Sequence, residues 1–477
     1  MSTFSGLGTA LSSLVAQRQA LEVSGQNIAN ANTVGYTRQR ATLTSISATQ
    51  GASMFSTGTG VGLGTRVSSV DRLGDIFLDA KVRTSTSASS YLAARAEAYA
   101  ALEKGVGEPA DTGLASQLST MWSAWHDVAN APDKASTRAV LIEDSKAVAE
   151  RVGTLYSTAE TQWNQTRSTT VALVDQVNTA AAGIADLNNR ILQITNSGGT
   201  AHELADQRDQ LATQLSSLVG ASTEVRPDGR VDVFVGGNAL VSGNRSNPLA
   251  VTGATTFGEV TASPGTAVSV VWADRPTQGV GLEGGRVAGL LSVLAPADAT
   301  GTGGVLAEAA ARYDAFAQTL ATQVNALHGS AVTPGGAAGG EFFTFTPGVP
   351  AALGLRVAIT DTADIAVAAP GAGAFDSSVA DAIAGLRTRD DGPDATWKHT
   401  VVEVATRTAS AGARATVAEA ARSTAEGQQL AQASVDTDEE TVNMLAFQRA
   451  YEGAARVLSA IDEMLDTLIN RTGLVGR

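Results

Sequence analysis

Cysteine is absent from this 477-residue chain, and aromatic and charged residues are scarce. Without a thiol the chain has no disulfide, no thiolate metal site and no cysteine nucleophile. Aromatic residues make up 5% of the chain and charged residues 17%, below the roughly 25% of charged residues in typical soluble domains. Its hydrophobic content comes largely from Ala and Val. Because disulfides and thiolate metal sites are excluded, we expect stability to come from packing or assembly.

Long apolar runs and a basic leader are also missing. The longest uncharged apolar stretch, VAGLLSVLAPA from Val287, falls short of the roughly 18 residues that a membrane-spanning helix needs. The start, MSTFSGLGTALSSLVAQRQ, has neither a basic segment before its apolar residues nor a small-residue cleavage pattern, which argues against a cleaved secretory signal. We therefore expect no membrane insertion.

Positive charge is in short supply as well. The formal net charge is −14, and sequence-independent binding of nucleic acid depends on cations that neutralise phosphates. The charge balance therefore predicts that nucleic acid is not a partner.

Both chain ends carry apolar residues at helical spacing. Near the start, apolar residues alternate at spacings of four and three, and Arg18 and Gly25 occupy the two seam positions that are not apolar. Near the end, every seam position in the same alternation is apolar. The N-terminal stripe consists of Leu7, Leu11, Leu14, Leu21 and Ile28. The C-terminal stripe consists of Met444, Phe447, Tyr451, Ala454, Leu458, Ile461, Leu465 and Leu468. Each stripe predicts an amphipathic helix with a coiled-coil seam.

The last helix has start and stop signals. Thr437 and Glu440 fit a capping box at its start, and Arg471 with Gly473 fits its end. A helix of this length needs a partner for its apolar stripe. One interpretation is a bundle within the chain. The other, which we favour because both termini carry a stripe, is assembly helices that become ordered against neighbouring subunits.

An asparagine-rich segment, NIANANTVGYTR at residues 27–38, follows the first stripe. Asn and Gly tolerate left-handed backbone conformations, so the segment predicts a helix end and a turn, with Tyr36 packed against it. Nothing in this local chemistry requires more than a turn.

The middle of the chain predicts further helices and one region of strands. Residues 134–196, 303–329 and 398–431 have helical patterns, while 331–350 and 370–393 are rich in Gly and Pro and predict loops. The turn RPDGR precedes an alternating run with Val231, Val233 and Val235 on one face, which predicts a hairpin. Trp122 and Trp125 are three residues apart and are expected in a helix core.

No catalytic or metal-binding set stands out. HELAD at His202 has Asp206 where a zinc-protease motif needs its second histidine. The glycines of residues 57–65 lack dinucleotide-loop spacing, and no Ser-His-Asp grouping is visible. We therefore predict no enzyme activity, no cofactor and no metal.

The two ends together resemble the bacterial flagellar axial proteins, the family of rod, hook and hook-associated proteins. NIANANTVGYTRQR carries the N-terminal resemblance, and SVDTDEETVNMLAFQRAYEGAARVLSAIDEMLDTLINR carries the C-terminal one. The N-terminal family residues are Asn27, Ala29, Asn30, Asn32, Thr33, Gly35 and Tyr36. The C-terminal ones are Asp438, Glu439, Gln448, Tyr451, Asp462 and Leu465. The segment HELADQRDQLATQLSSLVGASTEVRPDGRVDVFVGGNALV, residues 202–241, is similar to the hook-associated members that join hook to filament.

The resemblance implies a mainly α fold with a smaller β part. Terminal helices (1–55 and 432–477) would form a coiled-coil assembly domain. An elongated helical domain (56–340 and 360–431) would carry a β element around 221–280. Only residues 341–359 would remain where relatives insert an outer β domain.

The implied function is structural: polymerisation at the hook tip to join hook and filament. The implied partners are further copies of the chain in a ring, hook protein, a second hook-filament junction protein and an export chaperone that binds the C-terminal stripe. The implied location is the flagellum outside the cell, reached through the flagellar export apparatus. A hook or rod protein, and a secreted enzyme mounted on flagellar ends, remain as alternatives.

Overall fold

Helices dominate the computed structural model, which describes residues 3–47, 62–298, 300, 303–373 and 375–471. The helices in these ranges are α1 (Thr3–Ala29), α2 (Ile76–Val106), α3 (Leu114–Asn130), α4 (Ala135–Asn196), α5 (His202–Val219), α6 (Phe257–Thr261), α7 (Gly285–Leu294), α8 (Val305–His328), α9 (Ala351–Gly354), α10 (Ser378–Ala384), α11 (Pro393–Ala433) and α12 (Thr437–Asp466). The predicted mainly α class is confirmed. None of the described helices is long and apolar enough to cross a membrane.

The strands are short and antiparallel. They are β1 (Gln39–Ser45), β2 (Thr65–Arg72), β3 (Ser222–Val225), β4 (Val231–Val235), β5 (Asn238–Ser242), β6 (Arg245–Ser246), β7 (Leu249–Thr252), β8 (Ser269–Trp272), β9 (Arg275–Gly279), β10 (Phe343–Phe345) and β11 (Leu355–Val357). Within the described ranges β3 to β6 form one sheet in sequence order, β7 to β9 a second, and β1–β2 and β10–β11 two separate hairpins.

The three long helices predicted in the middle of the chain are confirmed as α4, α8 and α11. Two predictions are wrong in detail. Both segments predicted as loops contain short elements: residues 331–350 contain β10, and residues 370–393 contain α10 and a 3-10 turn at Gly385–Thr388. The cap of α12 is Asp436, whose side chain accepts hydrogen bonds from the backbone N–H groups of Asp438 and Glu439. A carboxylate at this position stabilises the positive end of the helix, so Thr437 is the first helical residue instead of its cap.

Two sequence predictions fall partly outside the described residues. After Asp466 the chain continues as a π turn, Thr467–Arg471, and the predicted stop residue Gly473 lies outside the described residues. Residues 57–61 of the glycine segment also lie outside them.

The predicted hairpin around Pro227 to Gly229 is confirmed by the pairing of β3 with β4. Val231, Val233 and Val235 are all buried, as their alternation predicts. They share a hydrophobic core with residues 174–185 of α4, so the sheet packs on the second half of this long helix.

Two hydrophobic cores lie along α4, whose 62 residues span about 93 Å at 1.5 Å per residue. The first is aromatic and includes Trp122 and Trp125, which are fully buried as predicted, with the Trp125 ring 5.0 Å from that of Phe342. The second joins α4 and α5 to the two sheets around Trp272. Because one helix belongs to both cores, the body is elongated.

Asn188 is the polar interruption in the apolar rhythm of α4, and it is fully buried. Its Nδ2 donates to the carbonyl oxygens of Val231 and Gly243, at 2.7 Å each. Its Oδ1 accepts from the backbone N–H of Val231 at 3.0 Å. The Asn188 amide therefore adds three hydrogen bonds to the apolar contact between the first sheet and the helix.

Replacing Asn188 by Ala is expected to lower the free energy of unfolding by about 3 kcal/mol, because each buried backbone group left unpaired costs about 1–3 kcal/mol. Denaturant titration would measure the change. Asn164→Ala is the control, since Asn164 is exposed on the same helix. Equal losses in the two variants would contradict the assigned role of Asn188.

The region predicted as a remnant, residues 341–359, holds the β10–β11 hairpin with α9 between its strands. Phe342 and Phe343 are fully buried in the first core. This region is thus packed into the first core of the helical body. The proposed domain boundaries stay predictions.

Candidate assembly interface of the terminal helices

Helices α1 and α12 pack against each other in antiparallel orientation. A Cβ built on Gly6 would lie 3.2 Å from Cδ1 of Ile461, so the start of α1 touches the end of α12. Near the other end, Ala20 and Val23 line the same cavity as Asn443 and Phe447. The two terminal helices therefore pair within one chain, and their ordering against neighbouring subunits stays a prediction.

The buried face of α1 differs from the predicted leucine stripe. Small residues are buried along it, namely Ala10, Ala16, Ala20, Ser24 and Asn27. Leu11 is 55% exposed, and the other stripe residues, Leu7, Leu14, Leu21 and Ile28, are partly buried. Small side chains allow α12 and the β1–β2 hairpin to approach the helix axis closely, so the contact face is rotated from the leucines.

The C-terminal stripe lies against α1 along most of its length. Ile461 is buried, and Met444, Phe447, Ala454, Leu458 and Leu465 are partly buried. Tyr451 and Leu468 are exposed, at 40% and 54%. Packing within the chain accounts for the burial, and the role of this stripe in assembly or chaperone binding stays a prediction.

A second apolar row on α12 lies beside this stripe. Its residues follow one another at intervals of three or four, and all are exposed: Val442, Ala446, Ala450, Gly453, Val457, Ala460 and Met464. We call this set the open row. Sequence reasoning missed it because Ala and Gly weaken its hydrophobic signal.

Asn27 organises the turn that follows α1. Its side chain is 1% exposed, and its Nδ2 donates to the Gln39 carbonyl at 2.7 Å while its Oδ1 accepts from the Gln39 N–H at 2.9 Å. The same Oδ1 accepts from the Tyr36 hydroxyl at 2.9 Å. Asn27 therefore pairs with β1 as a neighbouring strand would, and fixes the first strand against the first helix.

The remaining N-terminal family residues form the turn itself. Asn30 Nδ2 donates to the Gln26 carbonyl at 3.0 Å, and Thr33 Oγ1 donates to Asn30 Oδ1 at 3.2 Å. Gly35 has a φ of +80°, a conformation that L side chains rarely adopt. Ala29 and Asn32 are exposed. The segment is thus a stop and turn, as its composition predicts.

Tyr36 is held neutral in this turn. Burial, together with the nearby carboxylates of Asp206, Glu203 and Glu440, raises its pKa to about 12. Its hydroxyl therefore stays a hydrogen-bond donor to Asn27 at any physiological pH.

The N-terminal family segment and the segment of residues 202–241 meet in space. In the ADQRDQL stretch of α5, Asp206 accepts from Arg72 Nη2 at 2.5 Å and from the Thr37 N–H at 3.3 Å. Gln210 Nε2 donates to the Val34 carbonyl at 3.0 Å. Burial raises the pKa of Asp206, and the positive charge of Arg72 opposes that rise. Sequence reasoning did not connect these motifs, since no periodicity relates residues about 170 positions apart.

Arg38 ties the turn to α12. Its Nε donates to Glu440 Oε1 at 2.7 Å, and its Nη1 and Nη2 donate to the two oxygens of Glu439 at 3.0 and 2.8 Å. The hydrogen bonds from Arg38 lower the pKa of Glu439. Of the C-terminal family residues, Glu439 is the one that the structure brings to the N-terminal motif, whereas Asp438, Gln448 and Asp462 are exposed.

Among the described residues, no group of three His, Asp or Glu side chains could hold a metal ion.

Three family models match the chain. The model for the helical domain of flagellar hook-associated protein FlgK matches residues 99–343. The flagellar basal body rod FlgEFG C-terminal model matches residues 427–471, and the basal body rod protein model matches residues 7–37. Flagellar hook-associated protein 1 of Bacillus subtilis is 30% identical over the full length of both chains. This chain belongs to the flagellar hook-associated protein 1 family.

Other members of the family match a smaller part. Hook-associated protein 1 of Escherichia coli is 32% identical over 51% of this chain and 44% of its own length. The flagellar hook junction protein FlgK of Burkholderia pseudomallei, a solved structure, is 26% identical, with a TM-score of 0.47 over 56% of this chain. This chain spans 46% of the length of that structure.

The Asn27 side chain can be tested by an isosteric change. In Asn27→Asp, a buried carboxylate replaces the amide donor and faces the Gln39 carbonyl, at an expected cost of about 3 kcal/mol at pH 7. Burial raises the pKa of the introduced carboxyl above about 4, so the protonated acid can donate at lower pH and the loss should shrink there.

Hydrogen exchange of the β1 amides, compared with the original chain at pH 7 and pH 5, would measure this loss. Asn32→Asp is the control because Asn32 is exposed. A loss that does not depend on pH would contradict the assigned donor role.

Gly35 can be tested against a second glycine. In Gly35→Ala the Cβ would lie 2.8 Å from Gln210 Nε2 and the residue would keep a positive φ, so we expect a loss of about 1–2 kcal/mol. Gly25→Ala, with nothing within 4 Å in the interior of α1, should instead stabilise by about 0.5–1 kcal/mol. Thermal melts would compare the stabilities of the two variants. A stability change of the same sign in both would refute the requirement for glycine at position 35.

Proposed function

We propose that this chain is a structural protein that polymerises at the tip of the flagellar hook and joins hook to filament. The observation that carries the proposal is the open row on α12. It consists of seven exposed Ala, Gly, Val and Met residues spaced three or four positions apart, although α1 already covers most of the neighbouring stripe. Contiguous exposed apolar surface marks a binding site for another protein.

The occupant proposed for the open row is the terminal helix pair of an adjacent copy. Leu11 and Val15 of α1 are 55% and 58% exposed, so the pair offers apolar surface on both helices. Helix pairs that present apolar rows on two sides can pack side by side into a ring. The hook protein and the second hook-filament junction protein would contact the same ring from its two ends.

Export and protection before assembly belong to the same proposal. An exposed apolar row invites premature association in the cell. We infer that a cytoplasmic chaperone covers the C-terminal helix until the chain passes through the flagellar export apparatus, without cleavage of a signal peptide. The family resemblance supports this role.

The alternatives receive less support. Rod-protein models match only the two ends, whereas the helical-domain match over residues 99–343 favours a hook-associated protein over a rod or hook protein. Relatives carry the names of structural flagellar proteins, which favours a role without catalysis over a flagellar enzyme.

One pair of variants tests polymerisation directly. Val457→Asp places a charge in the open row, and Ser459→Asp places the same charge at an exposed position on α12 outside the row. The first should abolish filament attachment in a deletion strain and reduce self-association by tenfold or more, because the buried charge would lack a partner. The second should assemble as the original chain does.

Electron microscopy of the hook tip and sedimentation of the purified chain would give the two readouts. Circular dichroism would confirm that both variants are folded. Normal assembly of a folded Val457→Asp variant would refute the open row as the contact. Binding of both variants to the candidate chaperone would show in addition whether the chaperone covers the same row.

A further inference from the structure

His328 ends α8 and is fully buried, although histidine ordinarily takes up a proton near neutral pH. Its Nδ1 lies 2.7 Å from the Gly340 carbonyl oxygen, and its Nε2 accepts from the Ala366 N–H at 2.9 Å. A carbonyl oxygen only accepts and a backbone N–H only donates, so Nδ1 carries the proton and Nε2 carries none. The two contacts therefore fix the ring in one neutral tautomer.

The ring joins two segments that lie 12 and 38 residues away from it in sequence. One helical turn earlier, Asn325 binds the first of these segments as well, since its Oδ1 accepts from the N–H groups of Phe342 and Phe343 at 2.9 and 2.8 Å. Phe342 packs edge-on against the His328 ring, with 5.5 Å between the ring centroids. The Asn325 contacts do not depend on pH, whereas His328 loses its contact with Ala366 when it binds a second proton.

The backbone beside the ring is closely packed. A Cβ built on Gly339 would collide with the His328 carbonyl oxygen and would lie 2.8 Å from Cβ of Ala366. Val332 donates its N–H to the Ala368 carbonyl at 2.8 Å. A protonated Nε2 would place two donors opposite each other in this tight contact, and the segment around Ala366 could relieve the conflict only by moving away.

Arg138 of α4 adds an electrostatic reason for the ring to stay neutral. Its side chain is 3% exposed, and its Nη1 donates to the Ile365 carbonyl at 2.6 Å and the Thr362 carbonyl at 3.3 Å. These acceptors are neutral, so they leave the guanidinium charge in place. Burial lowers the pKa of His328, the hydrogen bond to Gly340 opposes the shift, and the positive charge of Arg138 lowers the pKa further.

Other ionisable side chains beside these contacts are exposed, and water screens their charges. They are His126 and Asp127 on α3, Asp133 and Lys134 before α4, Glu341 beside Gly340, and Asp361 and Asp364 on either side of Thr362. Arg138 is therefore the charge that acts on the ring most strongly.

We propose that His328 is a pH-sensitive lock within the helical body. The neutral ring holds Gly340 and Ala366 together, and a second proton taken up from water breaks the Ala366 contact, so that residues 360–369 open locally. Opening would uncover the Trp125 and Phe342 rings, which are fully buried in the closed form. The lock lies in the body and is independent of the terminal helices and of the proposed function.

Acid weakens the lock, and proton uptake gives the direction. A histidine in an opened segment takes up its second proton near pH 6.5, whereas the locked ring does so only at lower pH. The stability that the lock contributes is therefore present in full well above pH 6.5 and is lost as the pH falls below it. Between pH 7.5 and pH 5.5 the opening equilibrium constant should rise about tenfold, the limit for one histidine with a pKa of about 6.5.

Hydrogen exchange of the Ala366 amide in the full chain, corrected for the intrinsic pH dependence of exchange, measures this constant. His328→Gln can offer Oε1 to the Ala366 N–H and cannot ionise, so its opening constant should change by less than about twofold. His399→Gln is the matched control, because His399 is an exposed histidine. It should keep the tenfold rise of the original chain.

Nuclear magnetic resonance of the imidazole nitrogens gives a second readout that needs no change at position 328. The chain has four histidines, so replacing His126, His202 and His399 by Gln leaves His328 as the one signal. At pH 6.5 an exposed histidine is about half protonated, whereas His328 should remain neutral with its proton on Nδ1.

Two results would overturn the lock. One is titration of His328 at the pH of an exposed histidine. The other is an equal rise of the Ala366 opening constant in the original chain and in a folded His328→Gln variant. If that variant does not fold, the titration of His328 in the otherwise unchanged position decides between the two outcomes.

Discussion

The hydrogen-bonded contact of Arg38 with the start of α12 is the interaction on which the arrangement of the chain ends depends. It joins residues 402 positions apart in sequence, since Arg38 binds Glu440. Such a distant contact costs substantial loop-closure entropy unless the intervening chain is already compact. The folded helical body is compact in this sense, and it places the ends of β2 and α11 beside Arg38.

The antiparallel packing of α2 against α11 brings these two ends together. Ser89 donates to Glu419 at 2.8 Å, and Gln429 donates to Asp79 at 2.6 Å, so the start of α2 lies beside the end of α11. α4 stiffens the body because its two halves belong to different hydrophobic cores. The terminal elements are consequently mounted on a long and well-packed support, held to it by sheltered charges and backbone hydrogen bonds.

The terminal helices pack against each other on one face and expose apolar residues on another. α1 offers small residues to α12, which permits close packing within the chain, and leaves Leu11 and Val15 exposed. α12 in turn has one apolar stripe against α1 and a second row open to solvent. Pairing within the chain fills one face of each helix, and the open row supplies the surface for the proposed polymerisation.

Local patterns determined much of this protein in advance. The spacing of apolar residues predicted α4, α8, α11 and α12, the alternation of Val231, Val233 and Val235 predicted a buried strand, and the asparagine-rich segment predicted a turn after α1. These features follow from contacts among residues close in sequence, where a helix or strand repeats its pattern every few positions.

Only the tertiary structure decided which face of α1 is buried, that Asn27 pairs with a strand, and that Asp206 holds Arg72. The leucine stripe was the stronger sequence signal, yet Ala10 and Ala20 form the contact because close approach of helix and hairpin requires small side chains. Likewise, nothing in the sequence connects Arg38 to Glu439 and Glu440. These pairings depend on the path of the whole chain, which no local pattern encodes.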